Sequence, residues 1–118
     1  MQSASQPEIC IITTSNTLDH VAVRELVLYA TNDADLYRQR ATPIAQNMAL
    51  KIRNGKYDAE LAITGWLYLA DDAAKKYRKD HCTKGSTLFT PAERRAAAVE
   101  LRDYYAEWVQ ELAQSVAE

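Results

Sequence analysis

The chain has 118 residues, 47% of them hydrophobic and 25% charged, with a net charge of −2. That size and balance describe one folded domain with a core of its own, and they exclude a uniformly basic nucleic-acid binder. Three Gly and three Pro are too few for a turn-rich β fold, so long helices are expected.

Residues 1–15 are expected to form a flexible or extended arm, and residues 16–118 a single helical domain. The opening MQSASQPEICIITT has no basic region ahead of a long apolar run, so it reads neither as a signal peptide nor as a membrane span. Residues 8–14 are β-prone, but no second strand is there to pair with them, and an arm packed on helices is the expectation. Cys10 and Cys82 lie far apart, without CxxC or Cys/His spacing. That predicts two free thiols in a reducing cytoplasm and no structural zinc.

A first helix is expected from near Leu18 to Thr31, with Asn16 or Thr17 as N-cap and Asp19 in the first turn. Its apolar stripe would be Leu18, Val21, Ala22, Leu26 and Tyr29. Asn32 and Asp33 then offer a new N-cap, with Asp35 in the first turn of a helix through 36–40. The cluster resembles the front of a calcium loop, but the required Gly and Glu at the sixth and twelfth places are missing, so capping is the expected role. Thr42-Pro43 predicts an N-cap followed by proline at the first helical position, with either a kink or a new helix there. Ile44, Met48 and Ile52, with Leu50 beside them, form the next stripe, and Asn54-Gly55 is a stop.

Asp58 caps a helix expected over 59–80. Ala62, Trp66, Leu69, Ala73 and Tyr77 lie on one stripe, with Ile63, Leu67, Ala70 and Ala74 beside them, so this helix belongs at the centre of the core. Gly65 within it costs about 1 kcal/mol against Ala, which implies another helix close beside Trp66. Residues 81–86 read as a loop. Thr90-Pro91-Ala92-Glu93 is a capping box that opens a last helix running to about 116. Its stripe would be Ala97, Leu101, Tyr104, Tyr105, Trp108 and Leu112. The expected fold is all-α: a compact bundle of four or five helices.

Catalytic signatures are missing from the sequence. There is no phosphate-cradling glycine loop, no HExxH and no GxSxG. His20 reads as a first-turn residue, and His81-Cys82 has no third group to orient a nucleophile and its base. The expectation is a protein that is not an enzyme and takes no cofactor or metal.

Charge is distributed unevenly. Residues 36–102 carry thirteen Lys/Arg against seven Asp/Glu, while residues 1–35 and 103–118 are each four charges negative. Two features stand out. Tyr37, Arg38 and Arg40, and again Lys75, Lys76, Arg78 and Lys79 around Tyr77, interleave rings with cations, the combination that holds single-stranded nucleic acid. A solvated helix end with Tyr77 turned to the core and the cations outward accounts for the second group and is the favoured reading of it. The other feature is Glu100, Asp103, Glu107 and Glu111, spaced three, four and four apart and therefore on one helix face. Like charges so spaced oppose one another. Either Lys75–Lys79 or Arg38 and Arg40 compensate them within the fold, or they meet a basic surface on a partner.

Over residues 25–80 a pattern runs through Asn32-Asp33, Asp35-Leu36-Tyr37-Arg38, Pro43-Ile44, Asn47, Gly55, Tyr57-Asp58, Tyr68-Leu69 and Ala74-Lys75-Lys76-Tyr77. By that pattern the chain resembles small uncharacterised proteins of bacteriophages, plasmids and related mobile elements. The resemblance implies no activity. It implies a setting, accessory cargo of a mobile element in the bacterial cytoplasm, where small proteins bind and inhibit host machinery, defence systems included. The leading expectation is therefore a binding protein that engages a host protein or protein complex through charged patches. Nucleic-acid binding and homo-oligomeric assembly are the other two, and no membrane association is expected.

Overall fold

Helix caps divide this chain, and most of them lie where short polar side chains were available. The computed structural model describes residues 17–81 and 89–116. The expectations for the arm at 1–15, for Cys10, Cys82 and the loop after it, and for the His81 side chain lie outside the described residues. The elements are α1 (His20–Asn32), α2 (Ala34–Leu36), a π-helical turn (Tyr37–Ala41), α3 (Thr42–Arg53), α4 (Ala59–His81), α5 (Pro91–Tyr104) and α6 (Ala106–Val116). The fold is an all-α bundle, as expected, with no strand among the described residues.

Asp19, rather than Asn16 or Thr17, caps α1: its carboxylate accepts from the Val21 N–H at 2.9 Å. The buried face of α1 also differs from the expected stripe. Val23, Leu26 and Ala30 are buried, whereas Leu18 is exposed and Val21 is 75% exposed. Apolar residues occupy most positions between 18 and 30, so helical spacing alone admits more than one face, and the neighbours α4 and α5 select it.

Asp33 caps α2 as expected, its Oδ1 accepting from the Leu36 N–H at 2.9 Å. Thr42 does not cap a new helix. It is itself helical, and both its N–H and its hydroxyl donate to the Tyr37 carbonyl five residues back. The chain passes from α2 to α3 through one π turn, a widened turn that inserts one residue into the helical ladder. Pro43, which has no N–H and whose ring crowds the preceding turn, sits just after this widening. Asn54-Gly55 ends α3 with a Schellman motif: Lys56 N–H donates to Lys51 O, Gly55 N–H donates to Ile52 O, and Gly55 takes φ +70°.

Asp58 caps α4 by accepting from the Glu60 N–H at 2.8 Å. This longest helix is central, as its wide apolar face predicts. Ala62, Ile63, Trp66, Leu69, Ala70, Ala73 and Ala74 are all buried. Trp66 is among the largest fully enclosed side chains, and its truncation to Ala would cost about 3–5 kcal/mol. A Cβ on Gly65 would lie 2.5 Å from Met48 Cε and 3.7 Å from Ile44 Cγ2. The close approach expected there is made by α3.

Thr90 and Glu93 form the capping box of α5. The expected single helix from 91 to 116 is broken once, at Tyr105, which adopts φ −97°, ψ 5° between α5 and α6. Two bonds of α-helical type meet at the break, Tyr105 N–H to Leu101 O and Val109 N–H to Tyr105 O, both 3.0 Å. Leu101, Tyr105, Val109 and Ala113 continue the buried seam across it, and Tyr104 is turned out to solvent.

Candidate functional site

The corner at Tyr105 gathers five of the ten aromatic rings of the molecule. The Tyr105 ring stacks on Trp66, centroids 5.1 Å apart and planes 20° apart. It meets Tyr104 edge-on at 4.9 Å and Trp108 at 5.3 Å. In an unbroken helix successive side chains diverge by about 100°, and the turn at Tyr105 brings the adjacent rings of Tyr104 and Tyr105 into contact. Across from them the π turn presents Tyr37, which lies nearly parallel to Trp108 at 5.3 Å and 16°. Burial, with smaller contributions from Tyr104 and Tyr37, pushes the Tyr105 hydroxyl up to about 12. An open groove of about 330 Å³ results, lined by Tyr37, Tyr104, Tyr105, Glu107, Trp108 and Glu111.

The four carboxylates of the acidic stripe are all exposed, and the break at Tyr105 separates them into two pairs. Glu100 and Asp103 lie on α5, ahead of the turn; Glu107 and Glu111 lie on α6 and border the groove. Asp103 has Arg102 Nε at 3.3 Å. Among the described residues Glu100, Glu107 and Glu111 have no ion-pair partner.

Among the described residues no direct ion pair joins these carboxylates to Arg38, Arg40 or the Lys75–Lys79 group. Arg38 pairs with Asp35 at 2.9 Å, and Arg40 pairs with Asp72. Lys76 pairs with Asp33 at 2.6 Å and approaches Asp35 at 3.8 Å. The Lys76 ammonium and the Leu36 N–H hold the Asp33 carboxyl below the usual carboxylate range, and Asp33 in turn raises the Lys76 ammonium. These cations serve to tie α2, the π turn and α4 together.

The aromatic members of the basic clusters are also engaged. Tyr37 stacks on Trp108 and keeps part of its surface in solvent. Tyr77 packs edge-on between Tyr29 at 5.2 Å and Phe89 at 5.3 Å, with its hydroxyl donating to Glu25 at 3.2 Å. Its ring is turned to the core, as the solvated-helix-end reading expects. Arg40, Lys75, Lys76 and Lys79 nevertheless border one shallow depression with Leu36, Gln39, Asp72 and Asp80.

Of the stripe expected to be buried, Tyr105 is buried and Trp108 partly so, Tyr104 is exposed, and the groove that the three line is not among the expectations. A signal was present: Tyr104 stands three residues before Glu107 and seven before Glu111, hence on the acidic face itself. No three His, Cys, Asp or Glu side chains gather as a metal site among the described residues. No described helix is long and apolar enough to cross a membrane. Compared with protein-family models, with curated proteins and with solved structures, the chain matches none.

Proposed function

We propose that this chain is a small non-enzymatic binding protein that holds a basic surface of a partner protein against its acidic α5–α6 face. The resemblance over residues 25–80 supplies the setting of the proposal, a phage or plasmid product acting on a host protein, with a defence complex as one such target. One observation carries the reading, the solvent-facing acidic run on α5 and α6 that none of the basic-cluster cations pairs with. Arg38, Arg40 and Lys76 are matched within the chain, whereas Glu100, Glu107 and Glu111 face solvent with no ion-pair partner among the described residues. Like charges three and four residues apart on a helix cost a few tenths of a kcal/mol per pair. A cationic partner removes that cost on docking, and the negative field speeds its arrival.

Affinity capture from bacterial lysate tests the proposal, with the wild type compared against Glu107→Lys/Glu111→Lys. The expected outcome is a defined protein retained by the wild type, released by salt and lost with the variant. Identical recoveries with both baits would refute it.

Nucleic-acid binding is a second reading, and the shared depression of Arg40, Lys75, Lys76 and Lys79 favours it. It predicts a single-stranded DNA gel shift that weakens steeply with added salt and is lost in Lys75→Ala/Lys79→Ala. Assembly of identical copies would draw on exposed apolar side chains such as Leu61 and Tyr68, and light scattering decides it directly.

A further inference from the structure

We infer that the groove between the π turn and the α5–α6 corner takes the guanidinium of an arginine carried by an extended basic segment of the partner protein; this rests on the reading of the acidic face as a docking surface. The groove has two kinds of wall. Tyr37, Tyr104 and Trp108 supply ring faces and edges, and Glu107 and Glu111 supply carboxylates at its border. Electron-rich ring faces attract cations, and carboxylates accept charge-assisted hydrogen bonds. Arginine answers both, because its planar guanidinium stacks on a ring while its N–H groups reach an acid at the edge.

Three details favour an incoming cation over an apolar side chain. Tyr104 is 64% exposed and Tyr37 is 42% exposed, so ring surface is available to a ligand. Glu107 and Glu111 have no ion-pair partner among the described residues, and an apolar occupant would strip water from them without replacing it. Nor do the cations nearest in sequence to Tyr37 fill the groove: Arg38 is held by Asp35 and Arg40 by Asp72. The groove is also open and shallow, which suits the end of one long side chain on an extended backbone better than an enclosed small molecule. Beneath it Tyr105, stacked on Trp66, packs against Trp108 and backs the platform.

The test is a titration of the full chain with an acetylated, amidated Gly-Arg-Gly-Arg-Gly peptide, its lysine counterpart and a Gly-Gln-Gly-Gln-Gly control. The two tryptophan indole N–H signals are followed by two-dimensional NMR. Saturable movement of the Trp108 signal, with Trp66 unmoved, is expected with the arginine peptide, more weakly with the lysine peptide, and not with the control. Tyr104→Ser, at an exposed position that leaves the core intact, is expected to weaken arginine binding by about tenfold, and Tyr37→Ala by as much. Glu107→Gln/Glu111→Gln is expected to weaken it and to flatten its salt dependence. If the peptide binds and Glu107→Gln/Glu111→Gln weakens it, but neither aromatic variant does and Trp108 stays still, the groove assignment is wrong while the acidic docking face stands. If neither cationic peptide binds, or if single-stranded DNA moves the Trp108 signal and the peptides do not, both fall.

Discussion

The backbone N–H of Asp19 donates to Glu93 Oε2 at 2.9 Å, across 74 positions of sequence. The other oxygen of the same carboxylate accepts from the Thr90 N–H at 3.0 Å, and the Thr90 hydroxyl accepts from the Glu93 N–H while donating to the Thr17 carbonyl at 2.5 Å. One side chain, 3% exposed, thus serves as the capping-box residue of α5 and as the anchor for the entry of α1. Unpartnered N–H groups at helix starts are costly when buried.

Replacing Glu93 with Ala leaves the buried Thr90 N–H without an acceptor and frees the Asp19 N–H, at an exposed residue, to water; it is expected to destabilise the fold by about 1–3 kcal/mol. Glu93→Gln keeps one carbonyl oxygen for Thr90 but turns its amide N–H₂ toward the Asp19 N–H, so a smaller loss of about 1–2 kcal/mol is expected. Urea unfolding followed by circular dichroism measures both. A Glu93→Ala midpoint equal to that of the wild type would show that the bridge between α1 and α5 contributes nothing.

Asp33 and Lys76 make stability depend on pH at both ends of the scale. Asp33 titrates lower in the folded chain than in the unfolded one, so its contribution is complete above the ordinary carboxylate value of about 4 and is lost as pH falls through the folded value. Lys76 titrates higher when folded, so its share is complete below about 10 and is lost as pH rises through the folded value. Asn caps a helix nearly as well as Asp, and Asp33→Asn therefore removes the charge while keeping the α2 cap. The wild type is expected to melt a few degrees above Asp33→Asn at pH 7, and the gap is expected to close in acid below the folded Asp33 value. A gap that persists unchanged into acid would assign the effect to the cap instead of the ion pair.

The parts of this fold written in local chemistry were legible in the sequence: Asp33 and Asp58 as caps, Gly55 as a stop, the Thr90–Glu93 box, and the broad apolar face around Trp66. The caps, the stop and the box each depend on residues within about one turn of each other, and the apolar face is a repeat along a single helix. What was not legible depended on partners far away in the chain. The buried face of α1 was ambiguous because apolar residues surround the helix, and contact with α4 and α5 chose Val23 over Val21. The Thr42-Pro43 pair offered a cap or a kink, and neither pattern distinguishes a fresh start from a π turn that keeps the chain helical. The acidic stripe was legible as four charges on one face, but the break at Tyr105 was not, because all of its neighbours suit a continuous helix. Of the stripe expected there, Tyr105 keeps its buried place and Tyr104 is the member exposed on the groove wall.

At Gly65 the packing makes a quantitative prediction. Ala would gain about 1 kcal/mol of helix propensity, but its Cβ would meet Met48 Cε at 2.5 Å, and overpacking of that kind costs about 1–3 kcal/mol. The two positions should therefore be coupled. Gly65→Ala is expected to be neutral to destabilising in the wild type and more favourable by about 1–2 kcal/mol in a Met48→Ala background. A double-mutant cycle by urea unfolding measures this. Additive effects within about 0.5 kcal/mol would mean that Met48 swings aside freely and that α3 does not press on α4 at this point.

Tyr105 offers a test of the corner itself. Its hydroxyl is pushed up to about 12, burial being the first cause, and it makes no hydrogen bond among the described residues. In the unfolded chain a tyrosine ionises near 10. The folded state therefore holds the proton more tightly, and the resulting stabilisation is complete below pH 10 and fades as pH rises toward 12. Tyr105→Phe keeps the ring that stacks on Trp66 and removes the titration. Near-wild-type stability, within about 1 kcal/mol, is expected for this variant at pH 7. Between pH 10 and 12, where Tyr29, Tyr77 and Lys76 weaken both proteins alike, the wild type is expected to lose stability faster than Tyr105→Phe. Parallel loss in the two proteins would mean that the Tyr105 hydroxyl reaches water freely, and that the corner supporting Trp108 is looser than its stacked rings indicate.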